Sequence, residues 1–216
     1  MLNKNSSILS QFPGLLFAGA KNRKMVLENA ATEDLVIASL LGNLNAFDTL
    51  VGRYRGAILL VSRQHSSSSE LAEDIAQEVF LTAYKALPQL SEPGKFSSWL
   101  YSIARHRAIR VSKATQRLQP TELSVLDSMI FQFSPETLEE PEDACIRKLE
   151  NELLWLSVQR LPEEFRLPIQ LFYQEDWSVA EIGEFLALAP TTVKWRLYEG
   201  RRKLKRMLES KQVPCE

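Results

Sequence analysis

The sequence predicts an all-α protein: two small helical domains joined by a flexible acidic linker, with a helix-turn-helix in the C-terminal domain. Three observations predict it. Apolar residues recur at helical spacing through most of the chain, and no alternating run is long enough for a strand. Residues 118–143 break that pattern with Pro120, Pro135 and Pro141. Charge is also segregated. Lys95–Gln119 holds six bases and no acid, Pro120–Glu152 nine acids against Arg147 and Lys148, and Pro190–Lys211 eight bases against Glu199 and Glu209. The whole chain nets only −1, so its positive charge is local. Two basic segments held apart by an acidic one suit two contacts with a polyanion.

Taken in order, residues 1–31 read as a poorly ordered extension. "ILSQFPGLLFAGA" is interrupted by Pro13 and Gly14 and preceded by one base, Lys4, which makes a poor signal peptide. Regular patterning begins near Thr32, so Met25 is an alternative start. No apolar run approaches the roughly 20 residues of a membrane span. Cys145 and Cys215 have neither metal-ligand spacing nor the makings of a disulfide framework, which suits a reducing cytoplasm. Cys145 is an unpromising redox sensor, because no base closely precedes it.

The first domain, 32–117, is expected to hold four helices. "TEDLVIASLLG" places Thr32 as N-cap and Gly42 just past the helix end. Asn45 is the expected cap of a second helix, in which Phe47, Leu50, Val51, Tyr54, Ile58 and Val61 follow helical spacing. After "HSSSS", a third helix runs from about Glu70 to Leu87 with Leu71, Ile75, Val79, Ala83 and Leu87 inward. Asp74, Gln77, Glu78 and Leu81 form a stripe away from that core. It is either a solvated acidic face or a protein-binding one, and Gln77 and Leu81, which interrupt the charge, favour the second.

Pro88 ends that helix, and a fourth begins near Ser97. Its buried arc is Leu100, Ala104, Ala108 and Val111. Trp99, His106, Arg107, Arg110, Lys113 and Arg117 share a neighbouring arc. An aromatic at the head of a basic track suits unpaired nucleic acid, with the base stacked and the backbone followed. Trp99 as plain core is an equal alternative on composition.

In the second domain, 144–212, Ser178 and Glu181 form a capping box that starts a helix with Val179, Ile182 and Leu186 inward. "ALAP" is a tight turn. The next helix buries Val193, Leu197 and Leu204 and leaves Lys194, Trp195, Tyr198, Glu199, Arg201 and Arg202 toward solvent. A second helix whose first turns are exposed is the geometry that enters a DNA major groove. Thr191 and Thr192 lie where a helix N-terminus accepts phosphate, and Lys194 and Arg196 suit phosphates or guanine edges. The competing possibility is a basic amphipathic helix that merely closes a bundle; the capping box, turn and charge bias together favour DNA binding.

These segments together resemble bacterial RNA polymerase sigma factors of the extracytoplasmic-function (ECF) type. The resemblance rests on "LAEDIAQEVFLTAYKAL", "KFSSWLYSIARHRAI", "VQRLPEEFRLPIQLFY" and "WSVAEIGEFLALAPTTVKWRLYEGRRKLKRML", and it covers about residues 32–211. It implies that the first domain binds core polymerase (its β and β′ subunits) and holds the melted −10 promoter element. The second domain would read the −35 element as duplex.

Under that resemblance Asp74, Gln77, Glu78 and Phe80 match the core-binding motif. The loop Leu90–Ser97, with Phe96 and Trp99, matches the part that captures an extruded base, and Arg105 and His106 match the segment after it. Lys194, Trp195, Tyr198 and Glu199 match −35 contacts. Trp195 and Glu199 depart from common family residues, so an altered −35 preference is expected; His106 departs among the melting contacts, and Thr191 at the recognition-helix start, where a less tight turn is expected. Pro168 falls in a helix that is usually uninterrupted, where a kink is expected.

An anti-sigma partner, often at a membrane, is also implied, with cytoplasmic localisation. No catalysis, cofactor, metal or small-molecule substrate is expected. His65 and His106 lack a carboxylate at ligand spacing, and there is no Gly-rich phosphate loop.

Overall fold

The first element of the computed structural model, α1 (Thr32–Leu40), starts without a side-chain cap. Residues 27–118 and 153–209 are described, and every regular element among them is an α or 3-10 helix. Ala31, not Thr32, occupies the N-cap of α1. The Thr32 hydroxyl is used elsewhere: it lies 3.2 Å from the Tyr54 hydroxyl and accepts from Arg53 Nη1 at 2.9 Å. Gly42, at φ 91°, supplies the left-handed residue that turns the chain after α1.

Helix α2 (Leu44–Arg63) opens two residues earlier than Asn45 implied. Asn43 is its cap, with Oδ1 accepting from Ala46 N at 3.4 Å. Helix α3 (Ser69–Ala86) is capped in the same manner by Ser68, whose hydroxyl accepts from Leu71 N at 3.2 Å. Two 3-10 turns, Leu87–Gln89 and Pro93–Lys95, follow before α4 (Phe96–Leu118). Farther on, helical turns at 153–159 precede α5 (Glu163–Tyr173), α6 (Val179–Leu186) and α7 (Pro190–Glu209). Helix α5 continues through the buried Pro168 to Tyr173. The expected linker, Cys145, Cys215 and the side chain of Arg117 lie outside the described residues.

The described chain divides into two compact units, one taking residues up to Tyr54 with Ala83–Phe96, the other Arg55–Thr82 with residues from Ser97 on. In the first, Leu35, Val36, Ala46 and Leu50 are fully buried, and the Tyr54 and Phe96 rings meet edge-on at 5.6 Å. The second buries Ile58, Ile75, Val79, Leu100, Ala104 and Ala108 from the N-terminal helices, as their periodicity predicted. From the C-terminal helices it buries Phe165, Ile169, Ile182, Phe185 and Val193.

Within the stretch read as an extension, Leu27 is buried and Arg53 fastens the backbone beside it. The guanidinium donates to Glu28 O at 3.1 Å and Ala30 O at 2.8 Å, besides Thr32 Oγ1. A guanidinium serving three acceptors makes charge-assisted bonds stronger than the water bonds that would replace them. Arg53→Met, which keeps the apolar stem, is expected to lower stability by about 2 kcal/mol, measured by urea unfolding.

Candidate nucleic-acid interface

The helix-turn-helix is pinned at both ends of its first helix. Ser178 Oγ accepts from Glu181 N at 3.2 Å while Ser178 N donates to Glu181 Oε2 at 2.7 Å, the reciprocal capping box. At the other end Leu188 N donates to Gly183 O at 2.8 Å and Ala187 N to Glu184 O at 3.4 Å, with Ala187 at φ 53°. That is a Schellman motif with alanine where glycine is usual. Ser178→Ala leaves the Glu181 N–H without its acceptor and is expected to cost about 1 kcal/mol, visible as a lower Tm.

Two glycines that the sequence alone did not single out decide how the helices approach. A Cβ on Gly183 would sit 2.9 Å from Leu188 O, and one on Gly200 would sit 2.5 Å from Ile169 Cδ1. Gly183 therefore lets the turn to α7 come in close, and Gly200 lets α5 do the same. The signal was present: both stand inside helices, where glycine costs about 1 kcal/mol relative to alanine and so needs a packing reason.

Helix α7 begins with Pro190 at its first position, where the missing N–H is no loss, and Ala189 O accepts from Thr192 N and Val193 N. Val193, Leu197 and Leu204 are buried as predicted. Thr191 is exposed at the helix start and Thr192 half-buried. Lys194, Arg201 and Arg202 face solvent; Trp195 is 54% and Tyr198 61% exposed. Arg196 is half-buried on the opposite flank. Trp195 is not wholly loose, since its ring lies 5.7 Å from that of Phe165 on α5.

Glu199 is not a solvent-facing reader of bases, which corrects the sequence expectation. Its side chain is 12% exposed, and Oε1 accepts from Arg202 Nη2 at 2.9 Å with Arg206 Nη2 at 3.8 Å and Lys203 Nζ at 4.0 Å. Helical spacing put it on the outer face. Helix α5 covers that flank, as Phe165 shows by lying 5.3 Å beneath Lys203 Nζ.

On α4, Arg105, His106, Arg110 and Lys113 are exposed and share one side of the helix, with Trp99 half-buried at its head. Arg107 is half-buried and ion-paired to Glu78 of α3, so the two residues assigned to different contacts hold each other. Burial pushes the phenol of the half-buried Tyr101 above its ordinary value, with the neighbouring Arg105 opposing the shift. Phe96 is a second correction. It is fully buried against Tyr54 and forms the floor of the loop instead of offering a ring to an extruded base.

On α3, Asp74, Gln77 and Leu81 are exposed, Leu81 to 59%. Phe80 is a third correction: at 9% exposure it is core and lies outside the stripe. Among the described residues no group of three or more His, Cys, Asp or Glu side chains is placed to hold a metal, and no helix is long and apolar enough to cross a membrane.

Comparison with known proteins defines the class. Residues 50–118 match the family model Sigma-70 region 2, and residues 151–204 match Sigma-70, region 4. The ECF RNA polymerase sigma factor SigW of Bacillus subtilis (strain 168) is 31% identical over 180 residues, covering 77% of this chain and 91% of the relative. The RNA polymerase sigma-H factor of Pseudomonas aeruginosa is 28% identical over 85% of this chain and 97% of its own length. The fold is shared with CnrH, solved in complex with the cytosolic domain of CnrY. That match has a TM-score of 0.55 and 21% identity, over 84% of this chain and 99% of that one. The chain belongs to the ECF family of RNA polymerase sigma factors. As an alternative sigma factor it directs promoter-specific transcription initiation.

Proposed function

We propose that α7 reads the −35 element as duplex through Lys194, Trp195, Tyr198 and Arg201, with Thr191 and Thr192 at the helix start meeting phosphate. The exposed face of α7 carries this reading: two large aromatics stand open among cations, on a helix whose entry turn is capped from both sides. Burying such aromatics against DNA and neutralising phosphates would both be gained only on docking.

In the same assignment the exposed side of α4, with Trp99, Arg105, His106 and Arg110, holds the melted −10 strand. The α3 stripe of Asp74, Gln77 and Leu81 meets core polymerase. Glu78 and Arg107 form the strut between the two helices that carry these contacts. The chain performs no catalysis and acts in the cytoplasm. A cytosolic anti-sigma segment restrains it at the membrane, as the pairing of CnrH with the cytosolic domain of CnrY suggests by analogy.

Run-off transcription on a pool of genomic fragments, with core polymerase and with or without this chain, tests the assignment. Discrete new start sites that require the chain are expected. Lys194→Gln should weaken initiation at all of them, while Trp195→Ala should change their ranking. Tight duplex binding by the chain alone, with no new transcripts, would favour a repressor-like regulator instead.

A further inference from the structure

The geometry points to Glu199 as a positioning residue that limits how much of α7's positive charge reaches DNA, by holding Arg202 and Arg206 along the flank of the helix and off the phosphate backbone. The inference rests on the assignment of α7 to the −35 duplex.

Five of the seven cations of α7 fall into two groups; the others are the half-buried Arg196 and Lys205, which pairs with Glu209 at 3.7 Å. Lys194 and Arg201 face solvent without a carboxylate beside them among the ion pairs of the described residues. Arg202, Lys203 and Arg206 stand at i+3, i+4 and i+7 from Glu199, all within 4.0 Å of its Oε1. The carboxylate is the fixed partner. Its side chain is 12% exposed, whereas those of Arg202 and Arg206 are 56% and 61% exposed. The arginines therefore come to the acid, and the acid cannot swing out to meet them.

A sheltered carboxylate is screened less than a surface one, so its hold on the two arginines persists at salt concentrations that erase ordinary surface pairs. Each cation held this way displaces no counterion from DNA when α7 docks. The dependence of binding on salt thus reports the engagement directly, at up to about 0.9 in log–log slope per phosphate neutralised. A purely structural role, as an i,i+3 and i,i+4 helix brace, would change stability and leave that slope alone.

The experiment uses holoenzyme, this chain with core polymerase, on a duplex promoter fragment selected by the run-off assay, titrated across KCl concentrations. Glu199→Gln is expected to steepen the slope by about 1–2 and to tighten binding several-fold at low salt. Arg202→Gln in the otherwise native chain should change the slope by less than half as much as Lys194→Gln does. In the Glu199→Gln background the same substitution should remove the gain.

An unchanged or shallower slope in Glu199→Gln overturns the inference, and so does an Arg202→Gln effect equal to that of Lys194→Gln. The second comparison stands even where Glu199→Gln fails to fold, since Arg202 is a surface residue. Should Lys194→Gln also leave slope and affinity untouched, the assignment of α7 to the −35 duplex is what has failed.

Discussion

Gly183→Val is expected to remove −35-dependent initiation while leaving core-polymerase binding intact. The position is inside α6, and its Cα faces the carbonyl of Leu188 in the turn to α7. Two effects compete there. Alanine gains about 1 kcal/mol of helix propensity over glycine, and β-branched valine less than that. Against that, a Cβ at 2.9 Å from a backbone oxygen must move that oxygen. The same residue's N–H closes the Schellman turn, so displacing the peptide also strains the 2.8 Å bond from Leu188 N to Gly183 O.

Alanine is where the two effects nearly offset. Valine adds two methyl groups against the same wall, with Val193 Cγ2 already 3.9 Å from the Cβ position. We expect overpacking to dominate by about 2 kcal/mol. Thermal unfolding should show the C-terminal helices melting first. Competition for core polymerase against the unmodified chain should show near-equal binding through α3. A variant with unchanged Tm and full −35 response would show that the turn yields more readily than its hydrogen bonds imply.

The second large effect is expected on α3. Asp74→Arg combined with Leu81→Glu reverses the charge at one end of the exposed stripe and buries an acid at the other when core polymerase binds. On the proposed docking of α3, a reversed charge and a buried acid in one interface are expected to weaken core binding about 100-fold. Both side chains are exposed, so the chain's own stability should move by no more than about 0.5 kcal/mol. Initiation would fall in parallel with core binding, and excess protein would restore it. Failure of excess protein to restore initiation would place these residues in a later step than assembly.

Local chemistry made much of this legible in the sequence. Ser178 and Glu181 announce the start of α6 because a capping box needs only four residues, and Val193, Leu197 and Leu204 announce the inner face of α7 by spacing alone. Cap identity was less secure where several small polar residues crowd together. Asn43 and Asn45 are both plausible caps for α2, and the choice depends on where the preceding helix releases the chain at Gly42. Thr32 looked like a cap, but Tyr54 and Arg53 use its hydroxyl.

Phe96 and Glu199 are less exposed than local spacing implies because segments distant in sequence lie against them. Phe96 is covered by Tyr54 and Glu199 by the flank of α5, and neither partner is near in sequence. Gly183 and Gly200 went unnoticed for a related reason, since what makes glycine necessary is an atom across the interface.

Helix α6 is bracketed by two non-glycine residues in left-handed backbone, Asp176 at φ 54° and Ala187 at φ 53°. Alanine in that conformation is less favourable than glycine by about 1 kcal/mol, so the motif carries slack that a single substitution, Ala187→Gly, would take up. That slack bears on how promoter preference can change over time. On the proposed assignment, substitutions at Lys194, Trp195 or Tyr198 would recode DNA contacts, and a glycine at the turn would offset a loss of stability that accompanies them without touching the contact face. Ala187 is thus a permissive position: its mutation changes no specificity itself, but widens the set of recognition helices that the fold tolerates.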